Sequence, residues 1–233
     1  MADLAHSTAT LRVSVGELRI VHPISVPSAP VPAAEIVPAL QGLVNAVVAA
    51  AEAGKTISCR KGCGACCRQL VPVSRTEGER LLQLVEAMPA ERRKRLATRF
   101  AAAEAAIDAA GLTTRERRSD RELSTAYFSL GLPCPFLEEE SCSIHADRPL
   151  ICREYLVTSP AELCSGPTQE GVAPVAVPKV SLAARNLQED GDEWFPLALL
   201  MAWARKQPRR IQKRTGPEWV PRFLRGLGGK LDS

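Results

Sequence analysis

The distribution of cysteine constrains this 233-residue chain more than any other feature. All eight cysteines lie between Cys59 and Cys164, and the sequence on either side contains none, whereas the whole chain has only three histidines. Cysteines that serve only as small apolar residues would be spread along the chain. The clustering therefore indicates one region that builds a site.

The sequence carries no signal for export or membrane insertion. Residues 1–10 lack a basic stretch followed by an apolar one, so they do not resemble a secretory signal. The most apolar run, Leu43–Ala53, is too short to cross a bilayer. We therefore expect a cytoplasmic protein with no membrane contact. Thiols stay reduced in that compartment, where clustered cysteines hold metals or carry out redox chemistry more often than they form disulfides.

Composition and periodicity predict a mainly α fold. The chain is 45% hydrophobic and 24% charged, an ordinary globular composition that excludes wholesale disorder. Alternation between residues 10 and 26 predicts a short N-terminal β-hairpin, and five prolines between residues 23 and 38 indicate an extended linker. We expect an irregular helical bundle organised around a cysteine-rich metal site.

Four segments show helical spacing of apolar residues or helix start signals. Ser74 and Glu77 form a capping-box pattern before one of them, and Pro89 is placed to begin the next. Residues 113–122 have mixed charge and indicate an exposed connection. The predicted helices cover residues 34–53, 74–88, 89–111 and 182–204.

Charge is distributed unevenly along the chain. The formal net charge is +4, yet residues 204–233 contain nine Lys or Arg and two acidic residues. We therefore predict a basic C-terminal arm, which either is a solvated tail or binds an anionic partner such as nucleic acid. The predicted organisation is a hairpin and linker over 1–33, a helical cysteine-cluster domain over 34–204 and the arm over 205–233.

The first cysteine cluster has the spacing C-x3-C-x2-C-C. Soft thiolates suit zinc and iron–sulfur centres, and Gly62 and Gly64 let the backbone fold tightly around a metal. Because Cys66 and Cys67 are adjacent, we expect their side chains to diverge. One would bind the metal, and the other would serve a second site or pack as a small apolar residue. The cluster consists of Cys59, Cys63, Cys66 and Cys67.

The second cluster adds thiols and one imidazole. Pro149 breaks the chain before Cys152, which we expect to lie near a helix start. His145 has the spacing of a ligand but equally suits a hydrogen-bonded structural histidine, and Cys164 is the weakest ligand candidate. Together the clusters furnish one site or two. The candidate ligands in this cluster are Cys134, Cys142, His145, Cys152 and Cys164.

Basic residues flank both clusters. Nearby cations lower the pKa of thiols and offset the negative charge of a thiolate site. These residues are Arg60, Lys61, Arg68, Arg148 and Arg153.

One enzyme class shares part of the first spacing. Radical S-adenosylmethionine enzymes hold their cluster with C-x3-C-x2-C, the pattern from Cys59 to Cys66. That motif usually has an aromatic residue before its last cysteine and begins a β/α barrel. Here the position is Ala65 and no strand–helix alternation follows, so we set this class aside.

Taken together, the two clusters resemble the YkgJ-type cysteine-cluster family, also described as a zinc- or iron-chelating domain. The resemblance covers about residues 58–164 and implies metal binding by the cysteines. A tyrosine is common in that family where this chain has His145. Some relatives resemble flagellin lysine methylases, in which an iron–sulfur cluster accompanies methyl transfer. The matching residues are Cys59, Cys63, Cys66, Cys67, Cys134-Pro-Phe-Leu137, Cys142-Ser-Ile144, Arg148-Pro149 and Cys152-Arg153.

We therefore predict a cytoplasmic metal-binding protein that chelates zinc or an iron–sulfur cluster. The spacing does not separate the two metals and does not set the oligomeric state. One alternative is an iron–sulfur enzyme of methyltransferase-like or redox type that uses a spare thiolate such as Cys67 or Cys164. A second is a nucleic-acid-binding adaptor that uses the basic C-terminal arm.

Overall fold

The computed structural model describes residues 5–113, 119–166, 170–187, 194–206 and 212–231. The fold is mainly α, as predicted. The α-helices in these ranges are α1 Val37–Glu52, α2 Arg75–Glu86, α3 Ala90–Ala109, α4 Asp120–Ser129, α5 Leu150–Glu154, α6 Val180–Arg185, α7 Leu200–Lys206 and α8 Gly216–Gly226. The strands are β1 His6–Val15, β2 Leu18–Pro27, β3 Val31–Pro32, β4 Pro72–Ser74, β5 Leu137–Glu138, β6 Ser141–Cys142, β7 Trp194–Pro196, β8 Lys213–Arg214 and β9 Lys230–Leu231.

Strands β1 and β2 form the predicted N-terminal hairpin, which runs antiparallel from the pair His6 and Pro27 to the pair Val15 and Leu18. The prediction of an extended linker over residues 23–38 was wrong at its start, because Pro23 and Pro27 lie inside β2. The strand order is β2-β1-β9, so β2 is an edge strand of this sheet. Proline is tolerated there because its missing N–H faces away from the ladder.

Helix α1 packs its apolar face against the hairpin and ends before Gly54, whose φ of 74° suits glycine at a helix stop. Together with a short 3₁₀ turn it forms a continuous helix over Ala33–Glu52. By length and composition alone this helix is long and apolar enough to cross a membrane. This corrects the expectation that the most apolar run, Leu43–Ala53, is too short to do so. Its most apolar window is 56% buried inside the molecule, however, as is usual for a core helix.

The predicted helices over 74–88 and 89–111 are α2 and α3. Ser74 and Glu77 complete the capping box of α2. Pro89 is the N-cap of α3, so this helix begins at Ala90, one residue later than expected. The prediction of an exposed connection over residues 113–122 was wrong at its end, because helix α4 begins at Asp120. Residues 114–118 of that prediction lie outside the described residues. Helix α4 packs Leu123 and Tyr127 into one apolar cluster with α3.

The prediction of a single helix over residues 182–204 was also wrong. Helix α6 ends at Arg185, β7 pairs with β4, and α7 begins only at Leu200. Residues 188–193 of the predicted helix lie outside the described residues. Phe195 lies in β7 and is buried, and its ring stacks on that of Trp203 in α7 with ring centroids 4.4 Å apart. Both rings lie against α2 at Gly78.

The described part of residues 205–233 is not a free arm. Helix α8 buries Trp219, Val220, Phe223 and Leu224, and the indole of Trp219 donates a hydrogen bond to the Val31 carbonyl at 3.0 Å. Strand β9 pairs with β1. The hairpin, α1 and α8 therefore share one core, which spans the predicted boundaries at residues 33 and 205. Residues 207–211 and 232–233 lie outside the described residues.

Candidate metal centre

The first cysteine cluster lies in the loop between α1 and β4, which is folded by short-range turns. The Cys63 amide donates to the Arg60 carbonyl at 3.0 Å, and the Cys67 amide donates to the Gly64 carbonyl at 2.9 Å. Gly62 has a φ of 92°, in the region that favours glycine. These turns keep the four thiols of the cluster on one compact segment.

Gly64 is required by close packing between the two clusters. A Cβ atom at Gly64 would lie 2.7 Å from the Glu140 carbonyl oxygen and 2.9 Å from Leu137 Cδ1. Next to this contact, the Cys134 amide donates to the Cys67 carbonyl at 2.7 Å. The backbone thus joins the clusters directly, although 67 positions separate these two cysteines in the sequence.

The tight hairpin β5–β6 places Cys142 opposite Leu137. Its two turn residues, Glu139 and Glu140, have φ values of 49° and 55°, a conformation that costs energy for residues other than glycine. Arg68 holds the turn with two hydrogen bonds to the Glu140 carboxylate, at 2.7 and 3.0 Å. The same arginine lowers the pKa of Glu140. Sequence reasoning missed this turn, because two glutamates give no turn signal.

Cys152 lies in the short helix α5, as the Pro149 break predicted. A buried carboxylate holds the start of this helix: Glu77 Oε1 accepts a hydrogen bond from the Leu150 amide at 2.7 Å. Glu77 Oε2 accepts from the amide and the hydroxyl of Ser74 at 3.2 and 2.9 Å. One side chain therefore caps both α2 and α5. The sequence pattern revealed the first role and not the second.

Arg153 fixes the segment before α5 against α1. Its guanidinium donates to Asn45 Oδ1 at 2.7 Å, to the Arg148 carbonyl at 3.0 Å and to the Ala146 carbonyl. Burial lowers the pKa of Arg153 to about 10, so it stays charged at neutral pH. A buried cation thus lies beside Cys152.

These elements enclose one cavity of about 940 Å³, and the predicted ligands converge on it. His145 lines the cavity, with Arg148 Nη1 3.0 Å from its Nδ1 atom. Cys164 is the exception: it is buried, does not line the cavity and hydrogen-bonds through its thiol to Tyr155. The cysteines that line the cavity are Cys59, Cys63, Cys66, Cys67, Cys134, Cys142 and Cys152.

The adjacent thiols do not diverge. The side chains of Cys66 and Cys67 hydrogen-bond to each other, and both face the cavity, which corrects the expectation from their adjacency. All eight cysteines are free thiols. Across the ranges that the structure describes, no three His, Cys, Asp or Glu side chains are grouped closely enough to hold a single metal ion as they lie.

Burial dominates the acidity of several of these thiols. It raises the pKa of Cys134 to about 12 and raises that of Cys152 well above its ordinary value. Arg148 acts in the opposite direction on Cys59 and Cys142, but burial outweighs it. The prediction that flanking cations lower the thiol pKa was therefore right about the sign of their effect and wrong about the net result for these four thiols. A metal that binds here must displace protons.

Seven cysteines and one histidine thus line one cavity on a helical scaffold. Residues 58–169 match the family model CxxCxxCC, described as a "putative zinc- or iron-chelating domain". This segment is similar to that family, and the match agrees with the resemblance seen in the cysteine spacing. The match covers slightly less than half of the chain. No curated protein and no solved structure matches the chain significantly.

Proposed function

We propose that this protein binds a metal centre through the thiols of its cysteine-lined cavity. The observation that supports this most strongly is the convergence of seven of eight cysteines and one histidine on a single cavity, from segments far apart in the sequence. Soft sulfur donors suit zinc and iron–sulfur centres. The chemistry of the residues therefore fits the metals named for the family.

The protein's own residues prepare the site in two ways. Arg148 and Arg153 counteract part of the rise that burial causes in the pKa of Cys142, and they would offset the negative charge of metal-bound thiolates. Glu77 holds the start of the helix that carries Cys152. We assign Cys164 a structural role, because its thiol is buried against Tyr155 outside the cavity.

Within this proposal we favour an iron–sulfur cluster over a single zinc ion. A closed zinc site needs four ligands, each about 2.0–2.3 Å from one point. Seven thiols exceed that number, and no three ligand side chains of the described chain lie around one point. An arrangement of many sulfurs around a wider space suits a centre with several metal atoms.

The free thiols also bear on location and chemistry. All eight cysteines are free thiols, which is compatible with the reducing cytoplasm that we propose as the location of the protein. When bound, an iron–sulfur cluster supplies electron transfer or a Lewis-acidic iron.

Anaerobic purification followed by iron, zinc and sulfide analysis and a visible absorption spectrum tests the proposal. We expect iron and sulfide together with a broad visible absorption band. A colourless protein with stoichiometric zinc would instead show that the site binds zinc and not an iron–sulfur cluster. The variant Cys152→Ser should lose most of the metal, whereas the matched control Cys164→Ser should retain it. A wild-type protein that binds neither metal would contradict the proposal.

A further inference from the structure

The cysteine-lined cavity is larger than a closed metal site requires. Its volume of about 940 Å³ lies within the range of about 300–1,000 Å³ that is typical of pockets for organic molecules. A tetrahedral site, by contrast, brings its ligands to about 2.3 Å from the metal. The cavity therefore has room for a second molecule beside a metal centre.

One wall of the cavity is a stripe along α1. Asn45, Val48, Ala49 and Glu52 all line it, and their spacing of three and four residues places them on one helix face. Asn45 and Ala49 are exposed, so the cavity opens to solvent as a cleft along α1. Much of the remaining wall is apolar and includes Leu70, Val71, Leu156 and Leu197.

The lining of this cleft has an excess of positive charge. Among its described residues Glu52 is the one carboxylate, against four cations. No carboxylate in the described ranges forms an ion pair with any of these cations. The cations are Lys55, Arg60, Lys61 and Arg148.

Two of the cations meet at His145. The Arg148 guanidinium lies 2.5 and 3.0 Å from the two ring nitrogens of His145. Arg153 and Lys61 also lie within electrostatic range of this ring. Lys61 and Arg148 are therefore close enough to act on the same anionic group.

We infer that the cleft between α1 and the cysteine loop binds a small organic anion with an apolar body. The anionic group pairs with Lys61 and Arg148, and the body lies along Val48 and Ala49. Charged groups in such a pocket set the orientation of a ligand, and apolar walls supply most of the buried area. The inference rests on the proposed function, because the anion would lie beside the metal centre of the same site.

A pair of probes that differ only in charge tests this inference. Naphthoate and its neutral amide, naphthamide, are titrated calorimetrically into the full-length protein, and the metal content of each sample is measured. We expect naphthoate to bind about tenfold more tightly, the factor that one charge-assisted hydrogen bond supplies. Equal affinity for the two probes would overturn the inference.

Three variants locate the binding. Lys61→Glu should remove the preference for naphthoate and leave naphthamide unchanged, and Ala49→Trp should weaken both probes because the indole fills the cleft. Lys94→Glu, with the same charge change on the exposed surface of α3, should alter neither. Unchanged binding to Ala49→Trp would place the probe elsewhere and overturn the inference. If the purified wild type contains no metal and still prefers naphthoate, the proposed metal binding is contradicted, whereas anion binding in the cleft is supported.

Discussion

Glu77 connects the stability of the fold to the geometry of the cysteine site, and its replacement by alanine gives the sharpest prediction. The carboxylate is buried and accepts three hydrogen bonds, from the Ser74 amide, the Ser74 hydroxyl and the Leu150 amide. Glu77→Ala leaves two helix-terminal N–H groups without this acceptor. Each buried unsatisfied group costs about 1–3 kcal/mol. Because removing a buried charge offsets part of the loss, we expect destabilisation of about 2–5 kcal/mol.

The matched control is Glu122, the corresponding residue in the capping box of α4. Glu122 is exposed, and its box with Ser119 caps a single helix. Glu122→Ala should therefore cost no more than about 1 kcal/mol. Urea unfolding followed by circular dichroism measures both free energies of unfolding. The difference between the two variants estimates the additional contribution of the Leu150 contact.

Glu77→Ala should also weaken metal binding, because α5 carries Cys152 two residues after Leu150. Loss of a residue that orients a metal ligand typically costs about 10–100-fold in affinity. Competition with a chelator measures this loss, and Glu122→Ala should leave the affinity unchanged. If Glu77→Ala costs no more than Glu122→Ala in both assays, the carboxylate does not couple the two helices and the reasoning is refuted.

Three further predictions concern the thiols, the cluster contact and the C-terminal helix. Burial raises the folded-state pKa of Cys134 to about 12, above the unfolded value of about 8.5. The metal-free protein should therefore lose stability as the pH rises from about 8.5 towards 12, and a free energy of unfolding that stays constant over this range in urea titrations would exclude this. Gly64→Ala should lower the free energy of unfolding by about 1–3 kcal/mol, because the added methyl group overpacks against Glu140. The control Gly42→Ala meets only a side chain in the middle of a helix and should be neutral or stabilising. Thermal unfolding measures both. Trp219→Phe should cost about 1–3 kcal/mol through the lost hydrogen bond to Val31, and a thermal midpoint equal to that of the wild type would contradict the shared core.

Local signals in the sequence were reliable where short-range physics determines the structure. The capping box at Ser74 and Glu77 and the helix start at Pro149 both depend on neighbouring residues. The hairpin was predicted for the same reason, because its alternation reports on one exposed and one buried face. The resemblance to the cysteine-cluster family likewise rested on spacing within short segments.

Tertiary contacts determine the features that the sequence did not reveal. The basic residues of the C-terminal segment conceal the fact that Trp219 and Phe223 complete the core of the N-terminal hairpin. Strand β7 replaces a predicted helix because Phe195 pairs with β4 and stacks on Trp203. The second role of Glu77 depends on a contact 73 positions away, and no local pattern reports such a distance.

X-ray absorption at the metal edge of the anaerobically purified protein tests the central claim most directly, because it identifies the atoms bound to the metal. The convergence of seven cysteines on one cavity predicts a first shell dominated by sulfur, at about 2.3 Å. The Cys152→Ser variant should lose most of this sulfur shell together with its metal. A wild-type metal surrounded only by nitrogen and oxygen would contradict the claim that these thiols hold it.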